Sequence, residues 1–225
     1  MSNSREEILH IIRKGLKGVN SKETTVQRNF LSEAEEIQEL TKGLRDNLRA
    51  KFIDELTNVN THILEANDNK NIKDLIFNLI KEKELKSFSI WESEYLKEIN
   101  LKQDLKNAGL KLVTAKNKDR IANSEIGITD VDYAIADTGT LVLLTNKNQP
   151  RSISLLPPIH LAIVRKENLV RNIKDLFIIL KSKLKDVEDI TTCMTFVTGP
   201  SRTADIELNL TLGVHGPKEL FVVIP

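Results

Sequence analysis

The sequence predicts an α/β fold in which helices flank a largely parallel sheet. From Thr61 onwards, short apolar runs that favour strands alternate with segments of helical periodicity. Strands that are separated by helices are typical of parallel sheets covered on both sides. The 225 residues suffice for a sizeable core, and a composition of 40% hydrophobic and 29% charged residues is ordinary for a globular protein.

The first part of the chain predicts a helical extension over residues 1–60, followed by the α/β domain over residues 61–225. Glu6–Gly18 places apolar residues on one face at helical spacing, and Thr25–Leu56 carries a second apolar stripe. Gly43 is expected to loosen or divide that second helix. We expect the first helix to pack on the body or on a partner, and the second to pack on the core, because its stripe is too irregular and short for a coiled-coil seam.

The α/β part contains eight candidate strands, four candidate helices and one expected hairpin. The strands are His62–Leu64, Phe88–Trp91, Leu110–Val113, Tyr133–Ala136, Leu141–Leu144, Leu161–Val164, Met194–Val197 and Leu220–Ile224. The helical patterns are Ile72–Lys86, Tyr95–Ala108, Lys118–Ser124 and Glu167–Leu184. The fourth and fifth strands are close enough in sequence to form the hairpin.

Charge and hydropathy argue against several classes of protein. A formal net charge of +1 gives no electrostatic footprint for nucleic acid. Charged residues interrupt Met1–Gly18, so we expect no secretory signal, and the longest uncharged run, Ser152–Val164, is too short and too broken for a membrane span. We therefore expect a cytoplasmic protein.

The single cysteine, Cys193, excludes an internal disulfide and a self-contained [4Fe–4S] cluster, which needs about four thiolates. Its position beside an apolar run favours a small buried side chain over a nucleophile. Standard dinucleotide-binding and P-loop motifs are absent, and the four histidines show no metal-ligand spacing. We expect no metal and no cofactor in this chain.

Asp137-Thr138-Gly139-Thr140 follows a candidate strand and is a candidate binding or catalytic turn. Gly139 allows close backbone approach, the threonines offer hydroxyl groups, and Asp137 offers a carboxylate that could act as a base. The alternative is a structural turn in which Asp137 accepts only local N–H groups. Arg151 could bind a carboxylate or phosphate with its planar fork, or could pair with a structural acid.

A second candidate site begins where Gly199 and Pro200 end a strand. Ser201 is expected to cap a helix over Arg202–Leu212, and the helix N-terminus together with Arg202 would attract an anion. The alternative is an ordinary helix start with Arg202 in solvent.

Two histidines complete the set of candidates. His215 is the histidine that we expect to serve as acid or base, because its neighbour Gly216 and Gly213 permit an exposed turn. The alternative is a turn histidine that hydrogen-bonds to the backbone. His160 either is structural or lines a cleft.

Three blocks of the sequence, Ala134–Leu144, Arg151–Val164 and Thr198–Pro217, together resemble the LUD domain, and more narrowly the lactate-utilisation protein C (LutC/YkgG) family. The resemblance implies a NagB/RpiA/CoA-transferase-like fold, shared with sugar-phosphate isomerases, with a cleft at the strand ends. It also implies a role in oxidising L-lactate to pyruvate, beside a ferredoxin-like iron–sulfur subunit and a cysteine-rich subunit. This chain would be the cluster-free subunit, and iron–sulfur clusters are expected only on its partners.

The resemblance suggests roles for the candidate residues as hypotheses. Arg151, or Arg202 with Ser201, would hold the lactate carboxylate, and Asp137 or His215 would take the hydroxyl proton. The remaining candidates for anion or substrate binding are Thr138, Gly139, Thr140, His160, Gly199 and Gly216. The family pattern usually has glutamate where this chain has Asp137, which shortens the reach of the carboxylate by one methylene.

Two alternative functions stay open at this point. The chain could be a stand-alone enzyme that acts on a phosphorylated or acyl small molecule, as other proteins of this fold group do. It could also be a non-catalytic interaction module whose residues 1–60 dock a partner through their apolar faces.

Overall fold

The computed structural model describes residues 8–11, 14, 29–114, 121–183, 191, 193–203 and 211–224 of the chain. The strands in that part are, in chain order, β1 His62–Glu65, β2 Ser87–Ile90, β3 Lys111–Leu112, β4 Ile126–Asp130, β5 Tyr133–Ile135, β6 Thr140–Leu144, β7 Ile159–Ile163, β8 Leu169–Val170, β9 Met194–Val197, β10 Arg202–Thr203, β11 Thr211–Leu212 and β12 Glu219–Ile224. The bounded α-helices are α1 Phe30–Gly43, α2 Arg45–Asn58, α3 Asn69–Glu82, α4 Glu94–Glu98, α5 Leu101–Asn107, α6 Ser152–Leu155 and α7 Ile173–Lys183. Short 3₁₀ turns span Ala136–Thr138 and Lys166–Asn168.

Six parallel strands form the central sheet in the order β1-β12-β7-β4-β2-β3. Every residue of the two middle strands, β4 and β7, is buried, as expected for a parallel sheet covered on both faces. The predicted α/β fold with a largely parallel sheet and flanking helices is confirmed.

A second sheet of four strands, β8-β5-β6-β9, is built from the chain between β4 and β12. The predicted hairpin is confirmed as the antiparallel pair β5–β6, in which Ala134 faces Leu141. Helices α1 and α7 pack on this sheet and share with it a separate apolar cluster that includes Ile37, Val142 and Ile179. Three of the eight predicted strands therefore belong to this smaller sheet.

The sequence analysis missed β4, although it lies in the middle of the central sheet. Gly127, Thr129 and Asp130 interrupt its apolar pattern, so the segment lacks the run of large side chains that indicates a buried strand. The glycine is required by packing, because a Cβ atom at Gly127 would lie 1.9 Å from the carbonyl oxygen of Ile153 in α6. Helix α6 crosses the strand at this point.

The predicted helices are confirmed in part. The stripe over Thr25–Leu56 forms α1 and α2, divided directly after Gly43, and the pattern at Ile72–Lys86 forms α3. Tyr95–Ala108 forms two helices instead of one, because Asn100 adopts a left-handed conformation with φ of 54°. The segment Glu167–Leu184 begins with a 3₁₀ turn and β8, and its helix starts only at Ile173.

Other helix predictions fall wholly or partly outside the described residues. In Lys118–Ser124, residues 118–120 lie outside them, and Ile121 is the one helical residue that is described. Of Glu6–Gly18, only residues 8–11 and 14 are described, all of them helical, and Ile8 and Ile11 are exposed.

The predicted helix Arg202–Leu212 is wrong at both of its ends. Arg202–Thr203 and Thr211–Leu212 form the antiparallel pair β10–β11, and residues 204–210 between them lie outside the described part. The alternation of apolar and polar residues in this segment has a period of two, which is typical of strands. Ser201 therefore caps no helix, and the anion site that depended on that cap is lost.

The two N-terminal helices are in contact with the α/β body. Leu48, Phe52 and Leu56 of α2 are buried in the main apolar core together with the central sheet. The division of the chain at residue 60 stays a prediction. Within the part of the chain that is described, no helix is long and apolar enough to cross a membrane.

Candidate functional site

Five of the eleven predicted site residues, Asp137, Thr138, Gly139, Thr140 and Gly199, gather with Thr198 on one edge of the second sheet, which we call the threonine rim (residues 137–140, 198 and 199). The hydroxyl group of Thr140 lies 2.7 Å from that of Thr138 and 2.8 Å from that of Thr198. The carboxylate of Asp137 accepts a hydrogen bond from Lys51 Nζ at 2.8 Å. Asp137 therefore forms an exposed ion pair with Lys51 of α2.

The threonine rim packs against the C-terminal end of α2. A Cβ atom at Gly139, whose φ is +59°, would lie 2.9 Å from the backbone of Leu56, and one at Gly199 would lie 2.9 Å from Val59 O. Arg202 donates a hydrogen bond to the same Val59 carbonyl. Because the C-terminus of a helix carries partial negative charge, Arg202 is used there as a helix-capping cation. This edge is unfavourable for a bound anion.

Ser201, His215 and Gly216 extend the rim on its outer side. The backbone N–H of His215 donates to Ser201 Oγ at 3.4 Å, and Gly213 N donates to Ser201 O at 3.0 Å. A Cβ atom at Gly216 would lie 3.2 Å from Ser201 Cβ. The side chain of Ser201 thus organises the turn that exposes His215.

Arg151 lies at the opposite end of the β6–β9 pair from the threonine rim. Its guanidinium is 4.0 Å from Cys193 Sγ, and Cys193 directly precedes β9. Cys193 is half-buried, so the prediction of a buried side chain is wrong. The pKa of the Cys193 thiol is lowered chiefly by a hydrogen bond with Thr195 and, to a smaller extent, by the nearby Arg151.

His160 is enclosed within the central sheet, with 1% of its surface exposed. Its Nε2 lies 2.9 Å from Thr129 Oγ1, and no described residue bonds to Nδ1. Burial lowers the pKa of His160 to about 4, so the ring is neutral at physiological pH. Of the two alternatives for this histidine, the geometry matches the structural one.

A cleft of about 840 Å³ lies beyond the carboxyl ends of β4 and β7, between the two sheets and helices α1 and α7. We call it the carboxyl-edge cleft, and its lining residues are Gln38, Thr41, Lys42, Arg45, Asp132, Tyr133, Leu144, Arg165, Glu167, Asn168, Leu169, Val170, Ile179, Leu180 and Lys183. In open α/β sheets, ligands bind at the carboxyl ends of the strands. None of the predicted site residues lines it.

The charges in the carboxyl-edge cleft favour an anionic ligand. The lining includes four cationic side chains, Lys42, Arg45, Arg165 and Lys183, and two carboxylates, Asp132 and Glu167. One of the cations, Lys42, is paired with the exposed Glu39 of its own helix. Lys183 Nζ also donates a hydrogen bond to Tyr133 Oη at 2.7 Å. A small carboxylate could be bound here with an acid and a phenol beside it.

Asp132 is the side chain in the cleft that is best suited to exchange a proton with a ligand. Its Oδ2 accepts a hydrogen bond from the backbone N–H of Leu144 at 2.7 Å. Burial raises the pKa of Asp132 to about 6, against the lowering effect of that N–H, and the nearby Asp130 adds to the rise. A carboxyl group that titrates near neutral pH can exchange a proton with a ligand.

Arg165 is held in a fixed orientation at the edge of the cleft. Its guanidinium lies 5.2 Å from the ring centroid of Tyr95, and one Nη donates to Glu167 Oε1 at 3.1 Å. Its buried Nε has no hydrogen-bond partner among the described residues. Tyr95 in turn donates to Asn69 Oδ1 at 3.0 Å, and burial raises the pKa of its phenol to about 12. The aromatic ring thus provides a fixed platform for the cation.

These residues were missed for an identifiable reason. Asp132 follows β4, which was not predicted, whereas Arg165 comes directly after the predicted strand Leu161–Val164. A charged residue immediately after a buried parallel strand is the signal that could have found Arg165. Lys183 and the α1 residues are too distant in sequence for any local pattern to join them to Arg165.

The described residues show no candidate metal site. No group of three or more histidine, cysteine, aspartate or glutamate side chains in that part of the chain is arranged to hold an ion. The cleft offers one carboxylate that is not in an ion pair, Asp132, together with several cations, which is the wrong balance for a divalent metal.

Comparison with known proteins identifies the family. A family model described as the LUD domain matches residues 49–224. The chain belongs to the LUD domain family. Its relatives include the lactate utilization protein C of Bacillus licheniformis, 41% identical over 110 residues, and that of Halalkalibacterium halodurans, 27% identical over 229 residues. The resemblance to the lactate-utilisation protein C type is therefore confirmed.

The extent of these matches differs between relatives of this LUD protein. The alignment covers 48% of this chain and 46% of the Bacillus licheniformis protein, but 100% of this chain and 99% of the Halalkalibacterium halodurans protein. The Bacillus mycoides lactate utilization protein C 1 is 35% identical over 66% of each chain.

The fold of this LUD protein also occurs among solved structures. The crystal structure of a DUF162 family protein from Deinococcus radiodurans superimposes with a TM-score of 0.60 at 18% sequence identity. The superposition covers 80% of this chain and 97% of the other. At this identity the likeness establishes the fold alone.

Proposed function

We propose that this chain acts in lactate utilisation as the cluster-free subunit of an iron–sulfur-dependent L-lactate oxidation system in the cytoplasm. The names of its relatives support the process, and the carboxyl-edge cleft supports the chemistry. The observation that carries the proposal is a cation-rich cleft at the ends of the central strands that also contains Asp132, whose carboxyl group titrates near neutral pH.

A small monocarboxylate matches the cleft in charge and in hydrogen-bonding groups. Arg165, Lys183 and Arg45 supply positive charge, while Asp132 and the Tyr133 phenol could bond to a hydroxyl group. The cleft is much larger than a three-carbon acid, so a partner's electron acceptor would have room to approach the ligand.

The threonine rim and the neighbouring residues Arg202 and His215 have a secondary place in this proposal. The hypothesis that Asp137 or His215 takes a proton and that Arg202 holds a carboxylate has to overcome two existing contacts. Asp137 is paired with Lys51, and Arg202 caps the carbonyl end of α2. We therefore assign the substrate carboxylate to the carboxyl-edge cleft.

The partners belong to the same proposal. With a single, half-buried cysteine this chain cannot supply the ligands of a cluster, so the electrons from lactate would pass to a ferredoxin-like iron–sulfur subunit and a cysteine-rich subunit. The protein's own part would be to bind and orient the acid.

Anaerobic affinity purification of the tagged full-length chain from its native host tests the subunit role. Mass spectrometry and an iron assay on the eluate should detect a cysteine-rich iron–sulfur protein together with iron. Recovery of the chain alone and without iron would contradict the subunit role. In parallel, calorimetric titration with L-lactate should show binding that Arg165→Met weakens at least about tenfold, as expected for loss of a charge-assisted contact.

A further inference from the structure

We propose that Arg165 and Asp132 recognise the carboxylate and the 2-hydroxyl group of the cleft's ligand, and that Glu167 competes with that carboxylate for Arg165. The choice of a 2-hydroxy acid rests on the proposed function. The competition between carboxylates rests on the geometry of Arg165 alone.

The guanidinium of Arg165 has more hydrogen-bonding capacity than its neighbours use. Of its five N–H groups, one Nη group donates to Glu167 and the buried Nε is enclosed by the protein, so a ligand would be bound through the remaining N–H groups of the two Nη atoms. A guanidinium binds a carboxylate best through two parallel bonds, whereas a single Nη-to-Oε1 bond joins Arg165 to Glu167. A ligand carboxylate could therefore make a better pair with Arg165 than Glu167 does.

The setting of Arg165 favours such an exchange. Tyr95 supports the guanidinium at 5.2 Å, so the cation need not be reordered when its anion changes. The side chain of Glu167 is 56% exposed and belongs to a short 3₁₀ turn, which lets its carboxylate move into solvent at little cost. Both side chains line the carboxyl-edge cleft.

Asp132 is placed to recognise the second group of the ligand. Asp132 and Arg165 both line the carboxyl-edge cleft, so a ligand in that cleft is exposed to both side chains. The Leu144 amide occupies Oδ2, which leaves the other oxygen for a ligand hydroxyl. A carboxylate accepts a hydroxyl proton in a charge-assisted bond, and a ligand without that hydroxyl leaves the acceptor unpaired.

This arrangement predicts selectivity as well as affinity. L-lactate and propionate share the same carboxylate and carbon skeleton and differ in the 2-hydroxyl group. A site that hydrogen-bonds a substrate hydroxyl discriminates strongly against the analogue that lacks it. We expect the full-length chain to bind L-lactate about tenfold or more tightly than propionate.

Calorimetric titration of the full-length chain with both acids, at constant pH and ionic strength, tests each element of the proposal. Glu167→Gln should strengthen the binding of both acids about two- to fivefold, because the ligand no longer has to displace the Arg165–Glu167 ion pair. That factor corresponds to the free energy of one exposed ion pair. The matched control is Glu94→Gln, which removes the same charge from an exposed pair with Lys97 outside the cleft. That control should leave both affinities unchanged. Thermal unfolding of each variant checks that it is folded.

Two further variants separate the two recognition groups. Arg165→Lys keeps the positive charge but loses the planar guanidinium that binds a carboxylate through two bonds, so it should weaken the binding of both acids about tenfold. In Asp132→Asn, the side-chain oxygen can still accept the hydrogen bond from the Leu144 N–H, but an NH₂ group then faces the ligand. The preference for L-lactate over propionate should then fall to less than about threefold, because the charge-assisted acceptor is lost.

The outcomes distinguish this inference from the proposed function. Equal effects of Glu167→Gln and Glu94→Gln would overturn the competition, whichever acid is used. An unchanged preference in Asp132→Asn would overturn the hydroxyl assignment. If propionate binds with the predicted Glu167 and Arg165 dependence but L-lactate binds no better, the carboxylate site stands and the lactate function fails.

Discussion

Burial favours the neutral form of both His160, in the central sheet, and Asp132, in the carboxyl-edge cleft. The pKa of His160 falls to about 4, and that of Asp132 rises to about 6. One is a base and the other an acid, so the same desolvation acts on their pKa values in opposite directions. Their effects on stability can therefore be separated by pH.

His160 is expected to destabilise the fold in acid. The unfolded chain binds this proton near the ordinary pKa of 6.5, whereas the folded chain excludes it until about pH 4. The free energy of unfolding should therefore fall as the pH is lowered through that window. Replacing His160 by glutamine should reduce the fall by about 2 kcal/mol. Urea unfolding at pH 7 and pH 4.5 measures this difference.

The control for this prediction is His215→Gln, which changes an exposed histidine. A loss of stability between pH 7 and pH 4.5 that is the same in both variants would contradict the role of His160.

Asp132 should have the opposite pH dependence. Between about pH 4 and pH 6, the folded chain holds a proton that the unfolded chain has lost, so the contribution of Asp132 to stability decreases as the pH rises through that window. Asp132→Asn removes the titration, and relative to wild type the variant should gain about 2 kcal/mol between pH 4 and pH 8. Chemical denaturation at the two pH values measures the gain, with the exposed Asp54→Asn as the control.

At the scale of elements, the contact between β4 and α6 depends on the absence of a side chain at Gly127. A Cβ atom at Gly127 would lie 1.9 Å from Ile153 O, a backbone atom that cannot move without moving α6. Gly127→Ala should therefore lower the free energy of unfolding by about 3 kcal/mol. Equilibrium unfolding in urea measures the loss.

Gly43→Ala is the matched control for this substitution, because a Cβ atom there meets nothing within 4 Å. At the end of α1, alanine should leave stability unchanged or raise it by up to about 1 kcal/mol. Similar losses in the two variants would show that the α6 contact is not what requires Gly127.

Elements with a strong periodic signal could be predicted from the sequence, and those defined by packing could not. Helix α3 was predicted to within four residues at each end and strand β12 to within one, because their apolar residues follow helical spacing and a continuous run, respectively. Strand β4 was missed because glycine, threonine and aspartate are buried there by neighbouring elements. Asn100 divides α4 from α5 through a left-handed backbone, which no periodicity indicates.

The candidate site was less accessible to prediction than the fold. The turn at Gly139 followed from turn chemistry, and Gly139 does adopt a left-handed φ of +59° there. Its proximity to Thr198 across the β6–β9 pair was not predicted. The carboxyl-edge cleft joins Arg45, Asp132, Arg165 and Lys183, which are separated by up to 138 positions in the sequence. Their proximity is a property of the topology, so no local pattern could reveal it.

At the scale of the whole molecule, α2 should be required for folding of the α/β body. Its Phe52 and Leu56 are fully buried in the main core, and removing them would expose apolar surface of the central sheet. A chain that starts at Thr61 should lose cooperative thermal unfolding and aggregate, because each lost core side chain costs about 2–5 kcal/mol. Circular dichroism during heating and gel filtration test this expectation.

The control chain starts at Asn29 and keeps α1 and α2 in full. It should unfold cooperatively. Cooperative unfolding of the chain that starts at Thr61 would instead support residues 1–60 as a separate extension.

One wall of the carboxyl-edge cleft has a consequence for how relatives should be compared. The LUD domain match begins at residue 49, whereas Gln38, Thr41, Lys42 and Arg45 of that wall precede it. Two members could therefore share the whole matched domain and still present different side chains to a ligand from this side. Substrate range could diverge within the family through changes in α1 and at the start of α2, so shared membership alone should not be used to transfer a substrate from one member to another.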